Sequence, residues 1–397
     1  MNQNSQALHG SAPRPPSGGT GGAVIDFGKG HPSADLLPFD AMAEAGAVVM
    51  ERHDPTTLQY GAERGPLGLR EEIAAYANRR QEHGAALAPD GLVVTGGISQ
   101  ALDLLCTLVT KPGDVMLVEE PTYHLAKLVF RDHGLRQVGV ASDAGGMVPE
   151  ALDEALSRHP GASVYLVPAF GNPTGASLDP GRAKRIVEVS ERHGAWLLAD
   201  EVYRYLSFSN QPQGSLAGHG ASRVVALNSF SKILAPGLRL GWLVAAPEVI
   251  ARFENSGLLQ SGGGMNPLVG ALVEHALRSG AADAHLTKLN AAFEQRAAVL
   301  SAALRHHLPT AEFMEPRGGY FIWLRVPGVA DTAGATLRQA VANGVRFAPG
   351  AAFSTSDVQH DRLRLSFAHY APANLELGSA RLAAALTSAS ASSQDPT

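Results

Sequence analysis

Residues 224–242 read V-V-A-L-N-S-F-S-K-I-L-A-P-G-L-R-L-G-W. The opening apolar run does not alternate with polar residues, the pattern of a strand covered by helices on both faces. It ends at Asn228, and Lys232 follows in the company of Ser229, Ser231 and Arg239. In open α/β sheets ligands sit beyond the carboxyl ends of the strands, so a lysine here faces a site. Two hydroxyls and a guanidinium fork suit a phosphate. Burial and neighbouring cations favour the neutral, nucleophilic amine that Schiff-base chemistry requires. Taken alone, the stretch also reads as a solvated loop lysine with chance serines beside it.

Working outward, runs of the same texture occur at 92–95, 115–119, 138–140, 164–168, 196–200 and 240–245. Helical stretches separate them, such as 99–110, closed by Lys111-Pro112-Gly113, and 179–193, closed by Gly194. Right-handed crossovers then give an α/β fold with a large, mostly parallel, seven-stranded sheet. After Pro267 helices are expected at 267–279 and 283–307, followed by a smaller α+β section with strands at 320–326 and 363–367 and helices at 332–343 and 373–386. The expected organisation is a disordered leader (1–22), an N-terminal segment packing on the small lobe or a partner (23–60), a large domain (61–285), a small domain (286–387) and a disordered tail (388–397).

The composition narrows the function classes. With 397 residues, 32 Lys+Arg against 37 Asp+Glu and a net charge of −5, the chain is not a phosphate-backbone binder by default, so no nucleic acid is expected. Gly and Pro interrupt every apolar stretch before the roughly 20 residues a bilayer requires, so no membrane is expected. A single cysteine, Cys106, which reads as a buried helix residue, and a leader without a basic start or apolar core point to the cytoplasm. The 15 histidines show no metal-ligand spacing, and no metal is expected. Asp26-Phe27-Gly28 spells a kinase magnesium motif without the catalytic loop that belongs before it.

Other strand ends also carry chemistry-bearing residues. W-L-L-A-D-E-V-Y puts Asp200 at a strand end with Tyr203 just beyond. A carboxylate there can hold a positive charge on a ligand, although aspartate is also a favoured helix cap. Y-L-V-P-A-F-G-N-P-T-G holds Asn172, which alone reads as a turn residue. V-V-T-G-G-I-S-Q leads into a helix, so the N–H groups of Ile98, Ser99 and Gln100 can cradle a phosphate, or simply form a Gly-rich turn. E-E-P-T-Y-H places Tyr123 where an aromatic could stack on a planar ring or merely pack.

These ordered segments, with a C-terminal L-R-L-S-F, resemble the fold-type I pyridoxal-phosphate enzymes (aspartate aminotransferase-like fold), specifically class I/II aminotransferases of the aminoadipate and kynurenine type. The resemblance spans about residues 24–386. It implies a pyridoxal 5′-phosphate cofactor and transfer of the α-amino group of an L-amino acid to a 2-oxo acid in a ping-pong cycle. By position, Lys232 matches the Schiff-base lysine, Asp200 the partner of the pyridine nitrogen, and Tyr203 and Asn172 the donors to the phenolic oxygen. Ile98, Ser99, Gln100, Ser229, Ser231 and Arg239 match the phosphate cradle, and Tyr123 the stacking aromatic. Arg364 matches the arginine that grips the substrate α-carboxylate, Gly30 and Tyr320 match pocket walls, and Phe353 is a further candidate wall. Tyr60 matches a tyrosine that crosses to the neighbouring subunit's phosphate, which implies a homodimer with shared active sites. Ile98 departs from the family's G-S-Q-Q or G-A-S-Q turn and offers only its backbone. His124 has no derivable role and reads as a polar neighbour.

Two other outcomes share these residues. The same cofactor shell serves elimination, replacement, decarboxylation or oxidation of an amino acid, with 261–267 and Tyr320 as the region that would decide. A regulator on a dead aminotransferase fold would need a DNA-binding segment of roughly 60 to 70 residues ahead of the fold, and retention of Lys232, Asp200 and Arg364 argues against it.

Overall fold

The computed structural model describes residues 23–80, 86–209, 213–356 and 358–392, with side chains to residue 387. The expected leader therefore lies outside the described residues, as do 393–397, while the backbone of the last helix, Pro372–Ser392, continues past 387.

In chain order the strands are β1 (Ile25–Asp26), β2 (Leu92–Thr95), β3 (Val115–Glu120), β4 (Arg136–Asp143), β5 (Gly146–Met147), β6 (Ser163–Leu166), β7 (Leu197–Asp200), β8 (Val224–Ser229), β9 (Gly241–Val244), β10 (Phe321–Arg325), β11 (Val345–Arg346), β12 (Ala348–Pro349) and β13 (Arg362–Ser366). The large sheet runs β2-β9-β8-β7-β6-β3-β4-β5. It has eight strands rather than the expected seven. The addition is β5, a two-residue strand antiparallel to β4, whose Gly146 sits at a φ of 87°. Such a piece is too short to carry a periodic signal.

β9 is antiparallel to both β2 and β8, whereas β8, β7, β6, β3 and β4 run parallel. The carboxyl ends of β2, β3, β6, β7 and β8 therefore share one edge with the start of β9. Alternate residues feed two separate cores: Met116, Val118, Tyr165 and Leu198 face one, and Leu117, Val164, Leu166 and Leu197 the other. Burial on both faces is why these strands read as unbroken apolar runs.

β10, β13 and β12 form a smaller antiparallel sheet, and β1 pairs in parallel with β11. Ser366 N also donates to Phe27 O, tying the N-terminal segment to β13. The helix Ala281–His307 passes unbroken through 285–286, where the sequence suggests a boundary. No helix among the described residues is long and apolar enough to cross a membrane.

Candidate active site

At the shared strand edge lies a cavity of about 190 Å³ whose wall includes Ser99, Tyr123, Asn172, Asp200, Lys232 and Arg239. Each element presents its residue for a local reason. After β2, Gly97 takes a φ of 95° and caps the helix Ile98–Val109 without a side-chain hydrogen bond. The first N–H groups of that helix are thus left for an anion, where the helix dipole favours negative charge. Ile98 and Ser99 line the cavity, while the Gln100 side chain turns away. Its amide oxygen accepts from Gly96 N and its nitrogen donates to Gly263 O at 2.8 Å. Gln100 therefore offers the cavity only its backbone.

Beyond β8, the Ser229 hydroxyl caps the short helix Phe230–Ile233 by accepting from Ser231 N, and donates to Leu240 O. Arg239 occupies the left-handed region at a φ of 46°, a strained setting for a non-glycine residue. This turn aims its guanidinium back at the Ser231 hydroxyl, 3.3 Å away, and at Gly96 O.

Asp200 ends β7 and is 2% exposed. Its Oδ2 accepts from the Tyr165 hydroxyl at 2.8 Å and its Oδ1 from Val202 N at 3.3 Å. Burial pushes the carboxyl up to about 6, against the pull of these donors and Lys232. Lys232 Nζ donates to Gly30 O at 2.8 Å and lies 5.3 Å from the centre of the Tyr320 ring. Burial, aided by the charge of Arg364, brings its amine down to about 8. Tyr203 is buried against Tyr320, ring centres 5.4 Å apart. The Tyr320 hydroxyl donates to Lys232 O at 3.1 Å and so steadies the lysine backbone.

Arg364 on β13 is 4% exposed. It donates through Nη1 to Asn172 Oδ1 at 2.9 Å and through Nη2 to Gly28 O at 2.7 Å, and it lies 4.2 Å over the Phe321 ring. Its Nε is buried without a hydrogen-bond partner. Phe353 lies 5.1 Å from the guanidinium, and His124 packs edge-on against Phe353.

Tyr60 is not brought to this cavity within one chain. It is 87% exposed and lines a separate cavity beside Arg52 and Pro267.

Residues 23–382 match the family model for aminotransferase class I and II. The chain belongs to that family. As an aminotransferase it is 30% identical to the aromatic-amino-acid aminotransferase 1 of Thermococcus litoralis, over 91% of this chain and 87% of that one. It is also similar to the solved α-aminoadipate aminotransferase of Thermus thermophilus, complexed with N-(5′-phosphopyridoxyl)-L-leucine, with a TM-score of 0.83 at 30% identity over 92% of each chain. A third relative is named as an uncharacterized HTH-type transcriptional regulator, YdcR of Escherichia coli, 31% identical over 84% of this chain and 71% of that protein.

Sequence reasoning missed three features around the candidate site. Tyr165 meets Asp200 through a strand register that no local pattern encodes. Gly28 accepts from Arg364 through its carbonyl, beside the expected Gly30, whose carbonyl accepts from Lys232. Glu119, 8% exposed, accepts from Val167 N where β6 parts from β3, and burial lifts its carboxyl to about 7. The pairing of β3 with β6 ends at Val118 and Tyr165, so Glu119 replaces the missing strand partner.

The site fits pyridoxal 5′-phosphate. Its lining combines a helix N-terminus without a side-chain cap, the hydroxyls of Ser229 and Ser231, Arg239, the buried carboxylate of Asp200 and the amine of Lys232.

Proposed function

We propose that the aminotransferase reaction is carried by Lys232, Asp200 and Arg364, with the cofactor held in the cavity that Lys232 and Asp200 line and that Arg364 adjoins through its bond to Asn172. Pyridoxal 5′-phosphate supplies an aldehyde that takes up the amino group and a protonated ring that accepts electrons released at the substrate Cα. The chain's residues supply the rest. The Lys232 amine, buried and held at about 8, would be nucleophilic enough toward the cofactor's aldehyde and basic enough to hold and pass on the proton released at the substrate Cα. Asp200 would hold the positive ring nitrogen by a charge-assisted bond. Tyr203 and Asn172 would donate to the phenolic oxygen, and Tyr123 would pack on the ring. The N–H groups of Ile98, Ser99 and Gln100, with Ser229, Ser231 and Arg239, would hold the phosphate.

The observation that carries this reading is the state of Arg364. Two of its bonds go to Asn172 and Gly28, and the buried Nε has no partner. A buried N–H without a partner carries a desolvation penalty that a carboxylate relieves, and a planar guanidinium meets a carboxylate with two donors. The substrate is then an L-α-amino acid, exchanged for a 2-oxo acid, with Gly30 and Tyr320 in the pocket wall. We assign Tyr60 to the phosphate of a second copy of the chain. Its exposure and its distance from its own cavity suit that role.

The test adds L-amino acids one at a time to the cofactor-loaded protein without an oxo acid. Release of oxo acid equal to the protein, with loss of the cofactor's visible absorbance, supports transamination. Consumption of the amino acid over many turnovers with the absorbance unchanged would overturn it in favour of elimination.

A further inference from the structure

The Tyr165 hydroxyl donates to Asp200 Oδ2 at 2.8 Å. Register makes this contact. In the parallel pair β6 and β7, Tyr165 lies opposite Leu198 and Leu166 opposite Ala199. Tyr165 therefore sits one pleat behind Asp200 on the same face of the sheet, a diagonal that only a long side chain spans. The Tyr165 ring is fully buried, and Phe130 packs edge-on against it with ring centres 5.2 Å apart.

Asp200 has one other donor, the long 3.3 Å bond from Val202 N to Oδ1. Oδ2 is thus committed to Tyr165, and Oδ1 is the oxygen left for a stronger partner. We propose that Tyr165 is a positioning residue of this aminotransferase: its donation to Oδ2 turns Asp200 Oδ1 toward the ring nitrogen of the cofactor and keeps the carboxylate charged there. The proposal rests on the reading of Asp200 given above.

A buried carboxylate without donors takes up a proton, and a neutral Asp200 could no longer hold a protonated ring nitrogen. A phenol is suited to prevent this. Burial and the charge of Asp200 hold the Tyr165 hydroxyl well above its ordinary pKa, so it stays a donor across the working range, whereas a histidine in its place would titrate there.

The test uses apoprotein reloaded with ring-¹⁵N pyridoxal 5′-phosphate, and reads the ¹⁵N shift and the cofactor dissociation constant in wild type, Tyr165→Phe, Asp200→Asn, their double variant and Phe130→Leu. Tyr165→Phe is expected to weaken retention roughly 10- to 100-fold, the scale of a hydrogen bond to a charged group, and to move the shift toward the unprotonated ring. It should add nothing in the Asp200→Asn background. Phe130→Leu loosens the packing but keeps the hydroxyl, and should leave the shift at its wild-type value. A wild-type shift and affinity in Tyr165→Phe, a full additional loss in the double variant, or the same shift change in Phe130→Leu would each overturn the proposal. If Asp200→Asn itself keeps a protonated ring and normal affinity, the reading of Asp200 falls first. If only Tyr165→Phe is silent, Tyr165 alone is wrong.

Discussion

Lys232 is a base whose folded pKa is depressed to about 8, so its reactive, neutral fraction grows as pH rises through that value. Capture of the aldehyde cofactor by apoprotein should accelerate from pH 7 and level off above about 8 to 9, as followed by stopped-flow absorbance. Lys232→Ala should abolish turnover and leave the far-UV spectrum unchanged; near-normal turnover would remove the lysine from the mechanism. His124 makes a second residue-scale prediction. Burial and the charges of Arg364 and Lys127 push its imidazole down to about 4, below the roughly 6.5 of an unfolded chain. Between those values the unfolded chain binds a proton that the folded chain does not, so stability falls as pH falls through the window. His124→Phe should flatten that loss by on the order of 1–3 kcal/mol between pH 7 and 4 in denaturant titrations. An unchanged slope would show that the imidazole titrates normally.

At the scale of elements, the turn from β2 into the helix Ile98–Val109 depends on one glycine. A Cβ on Gly97 would sit 3.0 Å from Arg239 Nη2 at a φ of 95°. Gly97→Ala should cost about 1–2 kcal/mol of stability from backbone strain and should also weaken cofactor retention by displacing the arginine. Gly113, at a φ of 94° with nothing within 4 Å of its Cβ position, is the comparison, since Gly113→Ala should show the first effect alone. Equal cofactor affinity in the two variants would disconnect Gly97 from the phosphate end.

The elements also show what a sequence can reveal. β2, β3, β7 and β8 are legible within a residue of their ends, because burial on both faces makes them apolar without interruption. The short β1, β5, β11 and β12 are not, since two residues carry no period and their pairing is set by distant partners. The same division holds in the site. Asp200 ends a strand, Lys232 follows one and Arg364 sits within β13, all in recognisable contexts, whereas Tyr165 reaches Asp200 only by the register of β6 against β7. The carbonyl of Gly28 acts without any side chain to announce it, and Gly30 is reached only through the resemblance.

For the whole molecule, the surface around Tyr60 is unusual. Leu58 is 72% exposed, Tyr60 87% and Leu67, which lines the same cavity as Tyr60, 53%, and the helices Phe39–Glu51 and Leu67–Arg79 both pack on the helix Pro267–Arg278. Exposed apolar surface of this kind marks an interface, and a second copy of the chain is the expected occupant. Sedimentation should show a dimer at micromolar concentration. Tyr60→Phe should leave the dimer intact yet reduce cofactor affinity, by roughly the worth of one hydrogen bond to a charged group. A monomer at micromolar concentration with full cofactor affinity would refute the shared site.

The position of β2 also bears on how the molecule comes into being. Leu92–Thr95 has a single neighbour in the sheet, β9 at Gly241–Val244, and Arg364 lies farther along the chain still. During synthesis β2 must therefore wait for a partner strand that emerges some 150 residues later, and pairings between such distant segments form slowly. The helix N-terminus that follows β2 cannot be aimed until then. Cofactor capture is thus expected to follow assembly of the sheet, and fluorescence quenching by the cofactor during refolding should trail the recovery of secondary structure.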